Sequence, residues 1–166
     1  MPATAHALTR VLLLACLTGG AGAADWPAGW SVRTFELPAC GPLDQQTFEQ
    51  VQEVRDRSGR VQGLAFSYTS VMDAVTHLTF TRYANGGWKT VTWTAQGDWD
   101  FGTIAWTLGA DGRVIRVTTS GQRDGVRYSR SPRPQDMPLP AAFRFTPSPT
   151  AYAALNCAEL TSWPIL

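Results

Sequence analysis

The sequence predicts an all-β protein, an antiparallel meander of about six to eight strands that ends in a short helix. Apolar and polar residues alternate through residues 61–130, β-branched and aromatic residues dominate these runs, and short turns separate them. Such alternation is typical of strands with one face buried and the other in water. A barrel is the favoured architecture, because closure leaves no exposed edge. A strongly curved open sheet is the alternative, and a Greek-key sandwich fits less well because hairpins dominate.

Each predicted strand has an alternating apolar pair: Leu64/Phe66, Leu78/Phe80, Val91/Trp93, Ile104/Trp106, Ile115/Val117 and Val126/Tyr128. Turns such as Asn85-Gly86 and Asp111-Gly112 supply the positive φ angles of tight hairpins. The Gly-Arg-Val stretches at 59–61 and 112–114 look alike, which indicates shared hairpin chemistry more than a duplication. Residues 43–56 fit either a short helix or, over 49–56, a hairpin arm. The following turn favours the strand.

The C-terminal part has a different composition. Residues 131–149 contain six prolines, which predicts an extended strap across the domain surface, with a short edge strand at 141–145. Residues 150–160 are rich in alanine and place Tyr152, Leu155 and Leu160 near one stripe. This pattern predicts a terminal helix that packs its apolar side on the sheet.

The N-terminus predicts export. Residues 1–23 combine Arg10, a short apolar run and a small-residue ending at Ala23, the pattern of a cleaved signal peptide. Residues 24–166 then form a single exported β-domain that is secreted or periplasmic, without a transmembrane segment. The alternative is a lipoprotein, because Leu13-Leu14-Ala15-Cys16 resembles a lipobox, with Cys16 lipidated and anchored at the cell envelope. The short apolar run before Cys16 favours simple cleavage.

Two cysteines, Cys40 and Cys157, remain after residue 23. An even number of cysteines in an exported chain predicts a disulfide, and only one pairing is available. The bridge would tie the two ends of the domain together and stabilise it by about 4–5 kcal/mol on a chain-entropy estimate.

The charge balance argues against nucleic acid as a partner. Arg10 is the one charged residue before position 24, so its removal leaves 13 basic and 13 acidic residues. Basic residues nevertheless cluster late in the chain, at Arg113, Arg116, Arg123, Arg127, Arg130 and Arg133. The solvated face of strands is the favoured interpretation of this cluster, and a patch for anionic glycans, lipid headgroups or a protein is the minority one.

The sequence supplies little for catalysis. It lacks a G-x-S-x-G elbow, and His77 is the one histidine after residue 23, so neither a nucleophile set nor a metal site is expected, and no cofactor is predicted. Asp98 and Asp100 are weak catalytic candidates, because alternating strand positions share a face and paired carboxylates serve glycoside hydrolysis. The favoured interpretation is a turn in which Asp98 caps backbone N–H groups and Asp100 lies in solvent.

Seven tryptophans are the unusual enrichment. Trp93 and Trp106 share parity with aliphatic neighbours and are assigned to the core, whereas Trp88 and Trp99 adjoin turns and are candidates for ligand contact. Threonines of the strands would either face solvent or line a polar cavity. The favoured function is therefore a non-enzymatic module that binds an apolar or amphipathic small molecule or a cell-envelope protein. A secreted glycoside-type hydrolase and a purely structural envelope domain are the alternatives.

Overall fold

A computed structural model describes residues 27–38, 48–69, 75–82, 86–96 and 100–158. Eight strands form one antiparallel sheet in which each strand pairs with the next along the chain. The strands are β1 (Ser31–Glu36), β2 (Gln50–Arg55), β3 (Val61–Thr69), β4 (Val75–Arg82), β5 (Trp88–Gln96), β6 (Phe101–Leu108), β7 (Val114–Arg123) and β8 (Val126–Arg130). A 3-10 helix (Ala141–Phe143) and one α-helix, α1 (Pro149–Asn156), follow.

The predicted antiparallel meander of about six to eight strands is confirmed, with eight strands, although β1 was not among the predicted ones. Strand β2 confirms the strand interpretation of the segment before the first turn. Residues 43–47 lie outside the described residues. Over the described residues β1 and β8 do not pair, so the sheet is open and a barrel is not confirmed. No helix in the described part of the chain is long and apolar enough to cross a bilayer.

One face of the sheet, here called the core face, carries the apolar residues of the alternating pattern. Strand register aligns them in rows, such as Phe66, Leu78, Trp93 and Ile104 on β3 to β6. These side chains are buried, as predicted for Trp93 and Trp106. Adjacent apolar side chains in each row pack across the strands and exclude water from this face.

The C-terminal segment covers this face. The helix α1 begins after Ser148, whose hydroxyl oxygen accepts a hydrogen bond from the Ala151 N–H at 3.1 Å, and Pro149 occupies the first turn. It ends at Asn156, within the predicted range 150–160, of which 159–160 lie outside the described residues. Tyr152 and Leu155 are buried against the sheet. The predicted terminal helix is therefore present and packs its apolar side as expected.

The prediction of an edge strand at 141–145 is wrong. Instead, the N–H groups of Phe143 and Arg144 each donate to a carbonyl three residues earlier, at 3.0 Å. Such bonds tighten the chain into a 3-10 turn. The turn directs the Phe143 ring into the core, where it is fully buried. Burial of this ring outweighs the alternating pattern that favoured a strand.

The two similar hairpins at 56–60 and 109–113 share one turn geometry. In each, the first residue donates its N–H to the carbonyl of the fifth residue, at 3.0 and 2.8 Å, and a glycine with φ of 78° occupies the fourth position. Both turns also adjoin a register shift in the ladder. The likeness of the two sequences therefore follows from a shared turn, as the sequence indicated.

The first of these turns is organised by Asp56. Its carboxylate accepts hydrogen bonds from the Ser58 hydroxyl at 2.6 Å, from the N–H groups of Ser58 and Arg60, and from the Gln62 amide. These bonds, that of the Ser58 hydroxyl foremost, lower the pKa of Asp56 to about 2. The charged carboxylate is thus the form that the hairpin stabilises.

We expect Asp56→Asn to alter the acid sensitivity of folding. The folded pKa lies below the ordinary value, so the contribution of Asp56 is complete above about pH 4 and disappears as the pH falls towards 2. The variant should therefore be less stable than the parent at neutral pH, and the difference should shrink on acidification. Urea unfolding at pH 7, 4 and 2.5 measures this. Glu49→Gln, at an exposed position, is the control, and a constant difference across this pH range would contradict the assignment.

Candidate functional site

The core face is occupied by the chain itself. Residues 137–156, here called the cover, place aromatic rings on it: Phe143 lies 5.8 Å from Phe80 and 6.0 Å from Trp106 between ring centres. The Trp106 indole N–H donates to the Met137 carbonyl at 3.0 Å. Tyr152 packs edge-on against Phe66 at 5.8 Å. The cover thus fills the position where a ligand of a hollow β-domain would lie.

Trp88, predicted as a ligand contact, belongs to this aromatic cluster. Its ring lies 5.0 Å from that of Phe80 and 5.7 Å from that of Phe145, and the Arg82 guanidinium stacks 5.2 Å from its centre. Trp88 is half-buried. A role in ligand contact stays a prediction, and Trp99, the other candidate, lies outside the described residues.

A buried carboxylate fixes the cover to the sheet. Glu53 in β2 has no exposed surface, and its two carboxylate oxygens accept hydrogen bonds from the Tyr152 hydroxyl and the Arg55 guanidinium. Burial raises the pKa of Tyr152, and the adjacent Glu53 raises it further, so the phenol keeps its proton and donates it. Because no surface of Glu53 reaches solvent, this group positions α1 and is inaccessible to a substrate.

Asn156 provides a second polar attachment at the end of α1. Its side-chain oxygen accepts the Phe48 N–H at 2.6 Å, and its amide nitrogen donates to the Pro38 carbonyl at 2.7 Å. The side chain is buried. Asn156 thereby joins the end of the helix to both sides of the segment 39–47, which the structure does not describe.

Sequence reasoning missed these polar residues, although one signal was present. Glu53 lies two residues from Val51 and two from Arg55 in β2. Its side chain therefore shares the core face with the apolar residues. A carboxylate at a core position requires a partner. The sequence does not show that this partner lies in the terminal helix, 99 residues away.

The paired-carboxylate candidate is only half described. Asp98 lies outside the described residues. Asp100 is exposed, and its carboxylate accepts the N–H of Asp124 at 3.0 Å. This contact ties the start of β6 to the turn between β7 and β8. The exposure of Asp100 agrees with the interpretation that the sequence favoured, whereas its hydrogen bond to a distant turn was not predicted.

Four of the strand threonines lie on the outer face, opposite the core face, whereas Thr119 is buried beside Ile104 on the core face. Thr81 pairs with Thr90 and Thr94 with Thr103, with hydroxyl oxygens 2.5 and 3.1 Å apart. His77 lies between Ser67 and Thr94 on the same face, and burial lowers its pKa. These four threonines therefore face outward from the sheet and do not line a polar cavity in it.

The late arginines lie on β7 and β8 and in the segments just before β7 and just after β8. Two of them have acidic partners: Arg113 lies 3.7 Å from Asp111, and Arg133 lies 2.7 Å from Asp136. The other four are exposed and form no ion pair with a described carboxylate: Arg116, Arg123, Arg127 and Arg130. Val126, which is 68% exposed, adds apolar surface at the start of β8. This edge and its arginines form the candidate interaction site.

We expect Tyr152→Phe to destabilise the fold by about 1–3 kcal/mol, because it leaves one oxygen of the buried Glu53 without its donor. Urea unfolding followed by tryptophan fluorescence measures the change. Tyr128→Phe is the matched control, since Tyr128 is half-exposed and its hydroxyl donates to no buried carboxylate among the described residues, and its effect should stay within about 0.5 kcal/mol. Equal losses in the two variants would contradict the role given to Glu53 and Tyr152.

Comparisons with known proteins add no further evidence about the role of these residues. No protein-family model, curated protein or solved structure matches the chain.

Proposed function

We propose that the protein is a non-enzymatic, exported β-domain that binds a protein partner of the cell envelope at its β8 edge. One observation supports this most strongly: four exposed arginines without a described acidic partner lie on the two strands at the open edge of the sheet. Charge of this kind attracts a partner of opposite sign and fixes its orientation. A partner can bind at β8 because the sheet is open there, in place of the closed barrel that the sequence favoured.

A protein partner is better supported than an apolar small molecule. To reach the core face, a small ligand would have to displace the cover, with its buried Leu139, Phe143, Tyr152 and Leu155. Each such side chain contributes about 1.5–3 kcal/mol through burial. A partner that binds at β8 leaves the cover in place and meets surface that is already exposed.

The exported location rests on the N-terminal leader and the cysteine pair. Residues 1–23 and Cys40 lie outside the described residues, so cleavage after Ala23, lipidation at Cys16 and the Cys40–Cys157 bridge remain proposals. The Asn156–Pro38 hydrogen bond supports the bridge, because it brings a neighbour of Cys157 to within 2.7 Å of a residue two positions before Cys40. A disulfide needs its two Cα atoms within about 7 Å, and this contact brings neighbours of the two cysteines together.

Photo-crosslinking from β8 tests the partner. The full chain, produced in its own cells with p-benzoylphenylalanine in place of Ser129, should form an adduct with one envelope protein identifiable by mass spectrometry. The matched control carries the same group in place of Gln52, an exposed residue of β2, and should form none. Absence of an adduct at Ser129, or equal adducts at both positions, would refute a partner site at β8.

Peptide mapping of the unreduced, purified protein tests the exported form. We expect one disulfide-linked peptide pair that contains Cys40 and Cys157, and a mature N-terminus at Ala24. An N-terminus at Cys16 with an acyl mass would instead establish the lipid-anchored alternative. Free thiols at Cys40 and Cys157 would refute the bridge.

A further inference from the structure

We infer that β8 accepts an extended, acidic segment of the partner as a ninth strand, with two acidic side chains three residues apart. This inference rests on the proposed function and specifies the chemistry of the partner. Three features of the described residues support it: the hydrogen-bonding groups that β8 leaves open, the rigid attachment of β8 to β7, and the placement of its arginines.

The turn before β8 determines which main-chain groups are open. Asp124 and Gly125 have φ angles of 51° and 77°, the positive values of a two-residue type I′ turn. In such a hairpin the closing pair, Arg123 and Val126, exchanges both main-chain hydrogen bonds, and bonded and non-bonded pairs then alternate. Arg127 and Ser129 are therefore in non-bonded pairs. Their N–H and C=O groups point away from β7, where an added strand can pair with them.

Close packing holds β8 in place. Gly121 in β7 pairs with Tyr128, whose hydroxyl would lie 2.7 Å from a Cβ atom at position 121. Such a Cβ atom would also lie 2.2 Å from the Phe101 carbonyl oxygen. Because glycine has no Cβ atom, it alone leaves room at position 121 for the Tyr128 phenol. The Arg130 guanidinium in turn lies 5.9 Å from the centre of the Tyr128 ring. An ordered edge of this kind reduces the entropic cost of adding a strand.

The arginines specify the charge of that strand. By strand alternation, Arg127 lies on the outer face and Arg130 on the core face of β8, three residues apart. A strand paired with β8 places one side chain opposite each of them, on opposite faces. Acidic residues three positions apart therefore match both arginines at once, whereas basic residues at the same positions are repelled.

A second copy of the chain matches this edge less well. Antiparallel pairing of β8 with itself around Tyr128 would place the two Arg127 side chains diagonally on one face, with no acidic residue between them. Exposed charges on edge strands commonly prevent such self-association. The same charges admit a strand of opposite sign.

A synthetic peptide tests the inference on the full mature protein. The probe is fluorescein-labelled Thr-Glu-Thr-Val-Glu-Thr-Val, with its glutamates three positions apart, and binding is followed by fluorescence anisotropy at low salt. We expect saturable binding that weakens about tenfold in Arg127→Glu/Arg130→Glu, because attraction becomes repulsion. A peptide with lysines for the glutamates should bind that variant and not the parent. Arg33→Glu on β1 at the opposite edge is the matched control and should bind like the parent.

Main-chain pairing is tested separately from charge. A probe N-methylated at alternate amides should lose binding to the parent protein. The unmethylated probe should likewise lose binding to the Ser129→Pro variant, because proline removes a main-chain N–H that faces away from β7. Thermal unfolding of each variant establishes that it is folded. Binding that survives N-methylation, or that does not respond to the arginine reversal, would overturn the inference.

The two proposals fail in different ways. An adduct at Ser129 without peptide binding would overturn the acidic ninth strand and leave the partner site standing. Loss of both results would overturn both proposals. Concentration-dependent dimerisation that Ser129→Pro abolishes would assign the edge to a second copy and likewise overturn the inference.

Discussion

A single antiparallel sheet has two faces, and here one of them is too apolar to remain in water. Its rows of phenylalanine, leucine and tryptophan need a second layer, which the alternating strands themselves do not supply. The cover supplies it from the C-terminal end of the chain, with proline-rich chain, one turn of 3-10 helix and α1. Since the buried cluster includes residues of both layers, the sheet and the cover depend on each other for burial.

The buried Glu53 shows how this second layer acquires one defined position. Apolar packing alone tolerates small shifts of a short helix over a sheet, because many arrangements bury similar areas. A carboxylate with no exposed surface does not tolerate such shifts. If α1 moves and the Tyr152 hydroxyl withdraws, the buried Glu53 carboxylate keeps Arg55 as its one described side-chain donor. The contact thus selects one position of the helix, and Asn156 fixes its end in the same way.

Local patterns in the sequence were sufficient to predict strands β2 to β8, most of their buried sides and the terminal helix. They did not predict β1, and Ile115 and Val126 are exposed although each belongs to an alternating apolar pair. Trp93 and Trp106 show why: parity with aliphatic neighbours places a side chain on one face regardless of what covers it. Closure of the sheet depends on whether its first and last strands meet, and no local pattern encodes that. Phe143 was misplaced for a related reason, because its conformation follows from a distant aromatic cluster. The arginines of β7 and β8 were visible as a cluster, but their lack of acidic partners depends on the fold.

The cover also determines when the core face can be buried. Synthesis proceeds from the N-terminus, so the eight strands are complete before the residues that cover them exist. Until the cover arrives, Phe66, Phe80 and Trp106 have no second layer, and the incomplete sheet resembles the exposed apolar surface on which chaperones act. The core is therefore complete only after residues 137–156 have been synthesised.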